Sequence, residues 1–502
     1  MKLLLLRNML VMASSALICT GPLLGQGFIS HLIPSNSVSH ILVVDDTLWL
    51  GTGKGLSRSV DHGLTWENFR QVSEFADLGI YAVASQGPTI WTSTGFDKKV
   101  DNDFVPTGSG LTCSLDNGLT WHHLPQPMDA PSDSFIQYGI NQMKILPIIV
   151  PEQNVTYDIS VRNGTVWITS WAGGLRKTTD DGQTWQRIVL PPDNYNTVSP
   201  KDTLGFIIDP RQNVNFTPFS VLASSDSEIW VGTAGGVNKS TDGGVSWTKF
   251  NHQNQDSSIL GNWVIRIKEQ LVHGQRRIWT TNWVAEDPTE QYGVSYTDNG
   301  GQSWHNLLHD TKASDFAFRD SIVYVATDEG VYRTNDDGRT WDGVSTIVDS
   351  VGQQLFSTSQ IFSVGVQGST VWISGSDGAA STTDDASHAF GQTWEIKRTY
   401  VPVGSSSTTY AYPNPFSPAN EVARIHYSTG GKDSNVKIRI FDFGMNLVRT
   451  LAREAFRSGA IEHDEMWDGR DDSGRRVSNG VYFYEVEVEN GSTGWGKVVV
   501  LQ

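Results

Sequence analysis

The octapeptide Ser59-Val60-Asp61-His62-Gly63-Leu64-Thr65-Trp66 has the frame Ser/Thr-x-Asp-x-Gly-x-Thr/Ser-Trp, and the frame returns at 114–121, 178–185, 240–247 and 334–341. Two further copies are imperfect. The copy at 297–304 carries Asn299 where the Asp should stand, with Asp298 one residue early, and the last separates Asp384 from Gly391-Gln392-Thr393-Trp394 by an insertion. Counting both gives seven units. Apolar β-branched runs with an aromatic residue precede the copies, among them Trp49-Leu50-Gly51, Trp167-Ile168-Thr169, Trp230-Val231-Gly232 and Trp372-Ile373-Ser374, and no helical period joins them. Each unit therefore reads as four short strands, in the first unit 41–44, 48–51, 56–59 and 65–69. A lone four-stranded sheet cannot bury both faces, so the units must stack, and radial stacking predicts an all-β, seven-bladed β-propeller.

The chain has 502 residues, enough for more than one domain, and its 49 Gly and 18 Trp suit strands, turns and aromatic packing. A net charge of -17 without a basic cluster argues against nucleic acid as a partner. Lys2 and Arg7 flank an apolar stretch that ends in small residues near Gly25, so residues 1–26 read as a secretory signal. Cys19 suggests a lipoprotein, but Ile18 stands where a small residue would be expected; if Cys19 leaves with the signal, Cys113 has no disulfide partner. No later stretch has the roughly 20 apolar residues of a transmembrane helix.

The repeat resembles the Asp-box, or bacterial neuraminidase repeat, of sialidases, sortilins and several glycosidase propellers, over roughly residues 38–400. The motif is specific for this hairpin and not for sialidase activity. Its Asp can accept backbone N–H groups of its own turn and its Gly permits positive φ, while the Trp fills the gap between blades. Asp61, Trp66, Asp116, Trp121, Asp180, Trp185, Asp242, Trp247, Asp336 and Trp341 are thus structural. The resemblance implies that this turn lies opposite the ligand face, which is built from the turns between second and third strands and from the connectors between blades.

Those segments differ in length. The turns at 51–55 and 233–236 are minimal, whereas 93–111 and 281–293 are long, and the connectors 125–157 and 188–220 are longer still. Long irregular segments in a compact fold are usually functional or mobile. They hold aromatic and acidic residues together: Phe96, Asp97, Asp101, Asp103 and Phe104 in the second unit, Trp171 in the third, and Trp283, Glu286, Asp287, Glu290 and Tyr292 in the fifth. Phe96, Trp171, Trp283 and Tyr292 are candidate binding residues for glycan or protein, with Trp171 and Trp283 as a platform; the same residues also fit solvated loops and ordinary blade contacts.

A sialidase needs an arginine cluster, a Tyr/Glu pair and an acid/base Asp, and the family's first arginine lies in a segment here occupied by His31-Leu32-Ile33-Pro34, with Leu32 in its place. That departure weighs against sialidase. Arg266 is the most core-like later arginine, but strand alternation predicts a solvated face for it. Glycosidases that act on xyloglucan resemble two tandem propellers, and only one fits here. As paired carboxylates for hydrolysis, Asp97 or Asp101 could face Glu286 or Asp287 across the mouth. Gly51-Thr52-Gly53-Lys54-Gly55 returns into a strand and so is no dinucleotide site, adjacent His122 and His123 point to opposite faces, and Cys113 reads as a small buried thiol; no cofactor or metal is expected.

After a polar linker at 404–411 the repeat stops, the propeller being assigned to 27–403. Residues 412–502 open with Tyr412-Pro413-Asn414-Pro415-Phe416 and continue as strands predicted at 423–428, 436–442, 448–451, 481–488 and 497–501, an Ig-like β-sandwich. Trp467-Asp468-Gly469-Arg470-Asp471, Ser473-Gly474 and Ser478-Asn479-Gly480-Val481-Tyr482 resemble the Ig-like domain of flagellar hook-scaffolding proteins and, with Gly496-Lys497-Val498-Val499-Val500, the C-terminal sorting domains of type IX secretion substrates. The resemblance implies a partner in the type IX secretion machinery and an outer-membrane or extracellular location; a passive spacer is the other reading. Together these features predict an exported recognition protein, with a glycoside hydrolase as the alternative.

Overall fold

The computed structural model describes residues 23–24, 28–69, 75, 78–101, 103–350, 355–399, 409–419, 422–459, 462–489, 491 and 493–501. The sequence-assigned signal at 1–26 lies outside the described residues except for Leu23–Leu24, which pairs with Thr120 and Trp121. No helix among the described residues is long and apolar enough to cross a membrane.

The chain is built from antiparallel sheets. Up to residue 400 the described residues form seven sheets of four or five strands and one two-stranded ribbon. In sheet 1 the strands Val38–Val44, Thr47–Thr52, Gly55–Ser59 and Trp66–Asn68 follow in order, with Phe28–Ser30 added at the outer edge. Sheets 2 to 7 repeat that meander, starting at Gly79–Gln86, Thr156–Arg162, Pro218–Ala223, Trp263–Val272, Ala313–Arg319 and Ser363–Gln367. Stacked face to face, they make a propeller-like ring. Sheet 7 meets sheet 1: the Ile41 amide donates to Ser363 Oγ at 3.1 Å and Gln367 Nε2 to the Asp46 carbonyl at 2.7 Å.

Large aromatics join the sheets. A second-strand Trp of one sheet meets the motif Trp of the next edge-to-face, as in Trp372–Trp66 (6.2 Å), Trp49–Trp121 (6.4 Å), Trp91–Trp185 (6.3 Å) and Trp230–Trp304 (6.4 Å). Such pairs contribute about 0.5–1.5 kcal/mol each beyond area burial.

The motif turn explains its own composition. Asp61 Oδ1 accepts the Thr65 amide at 2.9 Å, Asp61 Oδ2 accepts the Thr65 hydroxyl, and Ser59 Oγ accepts the Gly63 amide at 2.8 Å. Asp116, Asp180, Asp242 and Asp336 repeat these bonds. Gly63 has φ +79° and lies against the Trp372 ring, so both the turn and the close approach require glycine. In the fifth copy Asn299 replaces the Asp, accepting the Ser303 amide and donating Nδ2 to Ser303 Oγ. In the last copy Asp384 instead takes Arg319, Arg333 and the Tyr324 hydroxyl from sheet 6, because the inserted residues carry the chain away from the compact turn.

Beyond residue 408, Thr409–Tyr412, Ala423–Tyr427 and His463–Trp467 form a three-stranded sheet against a four-stranded one of Leu447–Arg457, Ser434–Phe441, Gly480–Val488 and Thr493–Val500. Their inner faces share a core of Ile425, Tyr427, Val436, Ile438, Ile440, Trp467, Tyr484 and Val498. Residues 409–411, assigned to the linker from sequence, are strand, since Ala411 buries against that core.

Candidate ligand-binding face

The site is set by where each sheet begins. The first residue of an inner strand pairs with the last residue before the turn between second and third strands: Val38 with Thr52, Thr156 with Ser170, Pro218 with Thr233, Trp263 with Trp283. Inner-strand starts and these turns therefore share one face, and the motif turns occupy the other. One or two residues into the inner strand of sheets 1 to 6 the register slips, which turns the extra residue out of the ladder. The extra residues are Ser39, Tyr81, Tyr157, Phe219, Ile265 with Arg266, and Ser314.

Three consecutive slips present aromatics, and a row results. Tyr81 and Tyr157 have ring centroids 6.4 Å apart, Tyr157 and Phe219 6.2 Å, and Phe219 and Trp263 5.8 Å. Trp171, just after the second strand of sheet 3, fits between Phe219 (5.5 Å) and Trp263 (5.9 Å). All five are half-buried. The row crosses sheets 2 to 5.

Candidate residues from sequence divide between this row and other places. Trp171 belongs to it. Trp283 does not share its platform: its indole N–H donates to the Ala313 carbonyl at 2.6 Å and its ring lies under Lys312 Nζ at 4.0 Å, with Tyr292 on the same lysine at 5.9 Å. Trp263 was missed, although its register partner Trp283 marked the spot.

The segment 93–111 is a hairpin rather than an irregular loop. Thr89–Val100 and Asp103–Ser114 pair along their whole length, and the Gly95/Gly108 crossing is tolerated because Gly95 passes Tyr81 and the Thr107 carbonyl too closely for a Cβ. Phe96 is exposed on it and Asp101 sits at its tip with φ +54°. Asp97 stands beside Tyr81: burial pushes the Tyr81 hydroxyl up to about 12, and the Asp97 charge and hydrogen bond add to it.

The long connectors do other work. Residues 151–153 clasp the hairpin, the Gly108 amide donating to the Pro151 carbonyl at 3.0 Å and Gln153 N to Pro106 O at 2.7 Å. Phe135–Tyr138 and Asn141–Lys144 form the two-stranded ribbon, and Ile145 bridges Ile208 of the other connector. Tyr138 donates to the Val245 carbonyl in the motif turn of sheet 4, so the ribbon reaches the opposite face. Buried apolar side chains drew these connectors against sheets 3 and 4, where Met143, Ile145 and Ile208 join the core.

On sheet 5, Glu290 is buried and accepts from the Asn262 side chain (2.7 Å) and the Ala285 amide (2.6 Å), a loop-forming role. Asp287 caps Thr289, whose hydroxyl and amide hold its carboxyl down to about 2. Glu286 is exposed. A hydrolytic acid needs a raised pKa, the reverse of what holds Asp287.

Below the row the ring axis carries charge. Arg266 is half-buried, not solvated as alternation predicted, because the slip turns it onto the axis, where Asp158 lies at 3.1 Å, Asp315 at 3.6 Å and His40 Nε2 at 3.0 Å. Lys268 pairs with Asp315 at 2.7 Å. Burial and Arg266 lower the His40 pKa to about 3. Asp158 also accepts Ser220 Oγ and Asp315 accepts Ser363 Oγ, so the network ties neighbouring inner strands together. Cys113 is buried, and burial pushes its thiol up to about 12, as its reading as a packed thiol requires.

Residues 420–492 match the FlgD Ig-like domain family. The chain is 21% identical over 300 residues to the xyloglucanase Xgh74A of Acetivibrio thermocellus, a match covering 55% of this chain and 33% of the relative, so it spans about a third of that protein's length. Among solved structures, YCF48 of Cyanidioschyzon merolae aligns with 69% of this chain and 95% of its own at 16% identity and a TM-score of 0.44. PorZ of Porphyromonas gingivalis, described as a surface component of the type-IX secretion system, aligns with 93% of this chain and 87% of its own at 14% identity and a TM-score of 0.18.

Proposed function

We propose that the seven sheets are the blades of one Asp-box propeller and that this exported protein recognises a glycan or protein ligand at the face bearing the Tyr81–Tyr157–Phe219–Trp263 row. The row carries the reading: three half-buried aromatics at matched positions of successive sheets, continued by Trp263 at the start of the next inner strand and with Trp171 wedged among them, give a continuous apolar strip on this face. The C-terminal β-sandwich then serves as the export and attachment module for the type IX machinery. Retention of the full chain on an array of glycans and bacterial surface proteins, lost in Trp263→Ala, is the expected result; ligands that bind Trp263→Ala as well as the wild type would remove the row from the account.

Similarity over 300 residues to a xyloglucanase is what favours the second reading, hydrolysis. Its support stops short of the residues: Asp97 is exposed beside Tyr81 and Asp287 is held ionised by Thr289. Assaying every retained glycan for release of reducing ends decides it, and turnover that disappears in Asp97→Asn and Asp287→Asn would replace recognition by catalysis.

A further inference from the structure

The row's spacing and tilt favour one class of ligand, an inference that rests on the recognition reading just given. A sugar stacks best on a ring face presented flat. Here successive rings are turned against one another, by 67° for Tyr81–Tyr157, 56° for Tyr157–Phe219 and 48° for Phe219–Trp263, so faces alternate with edges along the strip. A strip of alternating faces and edges suits the separate apolar side chains of a polypeptide better than the flat face of a sugar ring. Ring centroids advance by 6.4, 6.2 and 5.8 Å, and alternate side chains of an extended polypeptide advance by about 6.6 Å. The two repeats match over the row's length.

Charge adds a direction. On the hairpin beside Tyr81, Asp97 is opposite Pro106 and Lys99 opposite Phe104, which places those four on one face of the ribbon. Its carboxylate lies close enough to act on both Tyr81 and Tyr157, and no Lys or Arg pairs with it among the described residues. Lys98, on the other face of the ribbon, is tied to Glu152, and Lys99, on the Asp97 face, forms no ion pair with it among the described residues. A carboxylate near two tyrosines suits a cationic side chain, which gains from the charge and from the rings together.

We propose that the row receives an extended polypeptide segment, with alternate apolar side chains seated on successive rings and a Lys or Arg placed opposite Asp97. The probe is a displayed library of random dodecapeptides selected on the full chain. The expected winners carry apolar residues at every second position and a basic residue at one end. Tyr157→Ala and Trp263→Ala should weaken them at least tenfold, and Asp97→Asn should erase the basic preference while the apolar alternation persists. Asp97 is exposed, so this variant reads out independently of any loss of packing in the other two. Selection of nothing, of sequences without the alternation, or of peptides indifferent to all three substitutions would overturn the proposal. Glycans that bind the wild type and are lost in Tyr157→Ala and Trp263→Ala, with no peptide selected, would also overturn it while leaving recognition at the row intact; ligands of both kinds indifferent to the row would sink that reading too.

Discussion

Gly63 carries two constraints at once, a left-handed backbone and an indole where a Cβ would stand. A Cβ there would lie 2.3 Å from the Trp372 ring. Gly63→Ala is expected to cost about 2–4 kcal/mol, the sum of the left-handed penalty and overpacking, measured by urea unfolding. Asp116→Ala removes the acceptor for the Thr120 amide and hydroxyl and should cost about 1–3 kcal/mol in the same assay. Asn299→Asp should be silent within about 0.5 kcal/mol, since the Ser303 hydroxyl can turn from acceptor to donor. These turns were legible from Ser59 to Trp66 alone, because every bond closes within a few residues. The role of Asp384 was not, because its partners Arg319, Tyr324 and Arg333 come from another sheet.

At the scale of strands, periodicity found the meander but not the slips in its inner strands. A slip arises from how one strand meets its neighbour, so nothing local to Tyr81, Tyr157 or Phe219 marks them as facing outward together. Arg266 was misread for the same reason. The length of 93–111 read as an irregular loop, whereas cross-strand pairing and the clasp from 151–153 make it a hairpin. Removing the axial cation by Arg266→Leu leaves Asp158 and Asp315 buried with less compensation and is expected to cost about 3–5 kcal/mol, seen as a lowered denaturant midpoint with an unchanged slope.

For the whole molecule, the two parts should respond differently to pH. In the C-terminal β-sandwich, burial disfavours charge on His426, but its bonds to Asp464 (2.9 Å) and Glu462 (2.6 Å) outweigh that and raise its pKa above the ordinary 6.5. A raised folded value means stability fully present below the unfolded value and lost as pH climbs through the folded one. The sandwich is therefore expected to unfold more easily at pH 9 than at pH 6, and His426→Gln to flatten that dependence, measured by thermal scans of the full chain. In the ring, half-buried His40 is already neutral across this range.

The central claim is that ligand meets the face of the aromatic row and not the face of the motif turns. Its most direct test compares Tyr157→Ala, at the mouth, with Leu64→Asp, at an exposed position of a motif turn, for retention of whatever the wild-type chain captures from the glycan and peptide collections. The account predicts that capture falls at least tenfold with Tyr157→Ala and is unchanged with Leu64→Asp. Capture that survives Tyr157→Ala and fails with Leu64→Asp would contradict it and move the site to the opposite face.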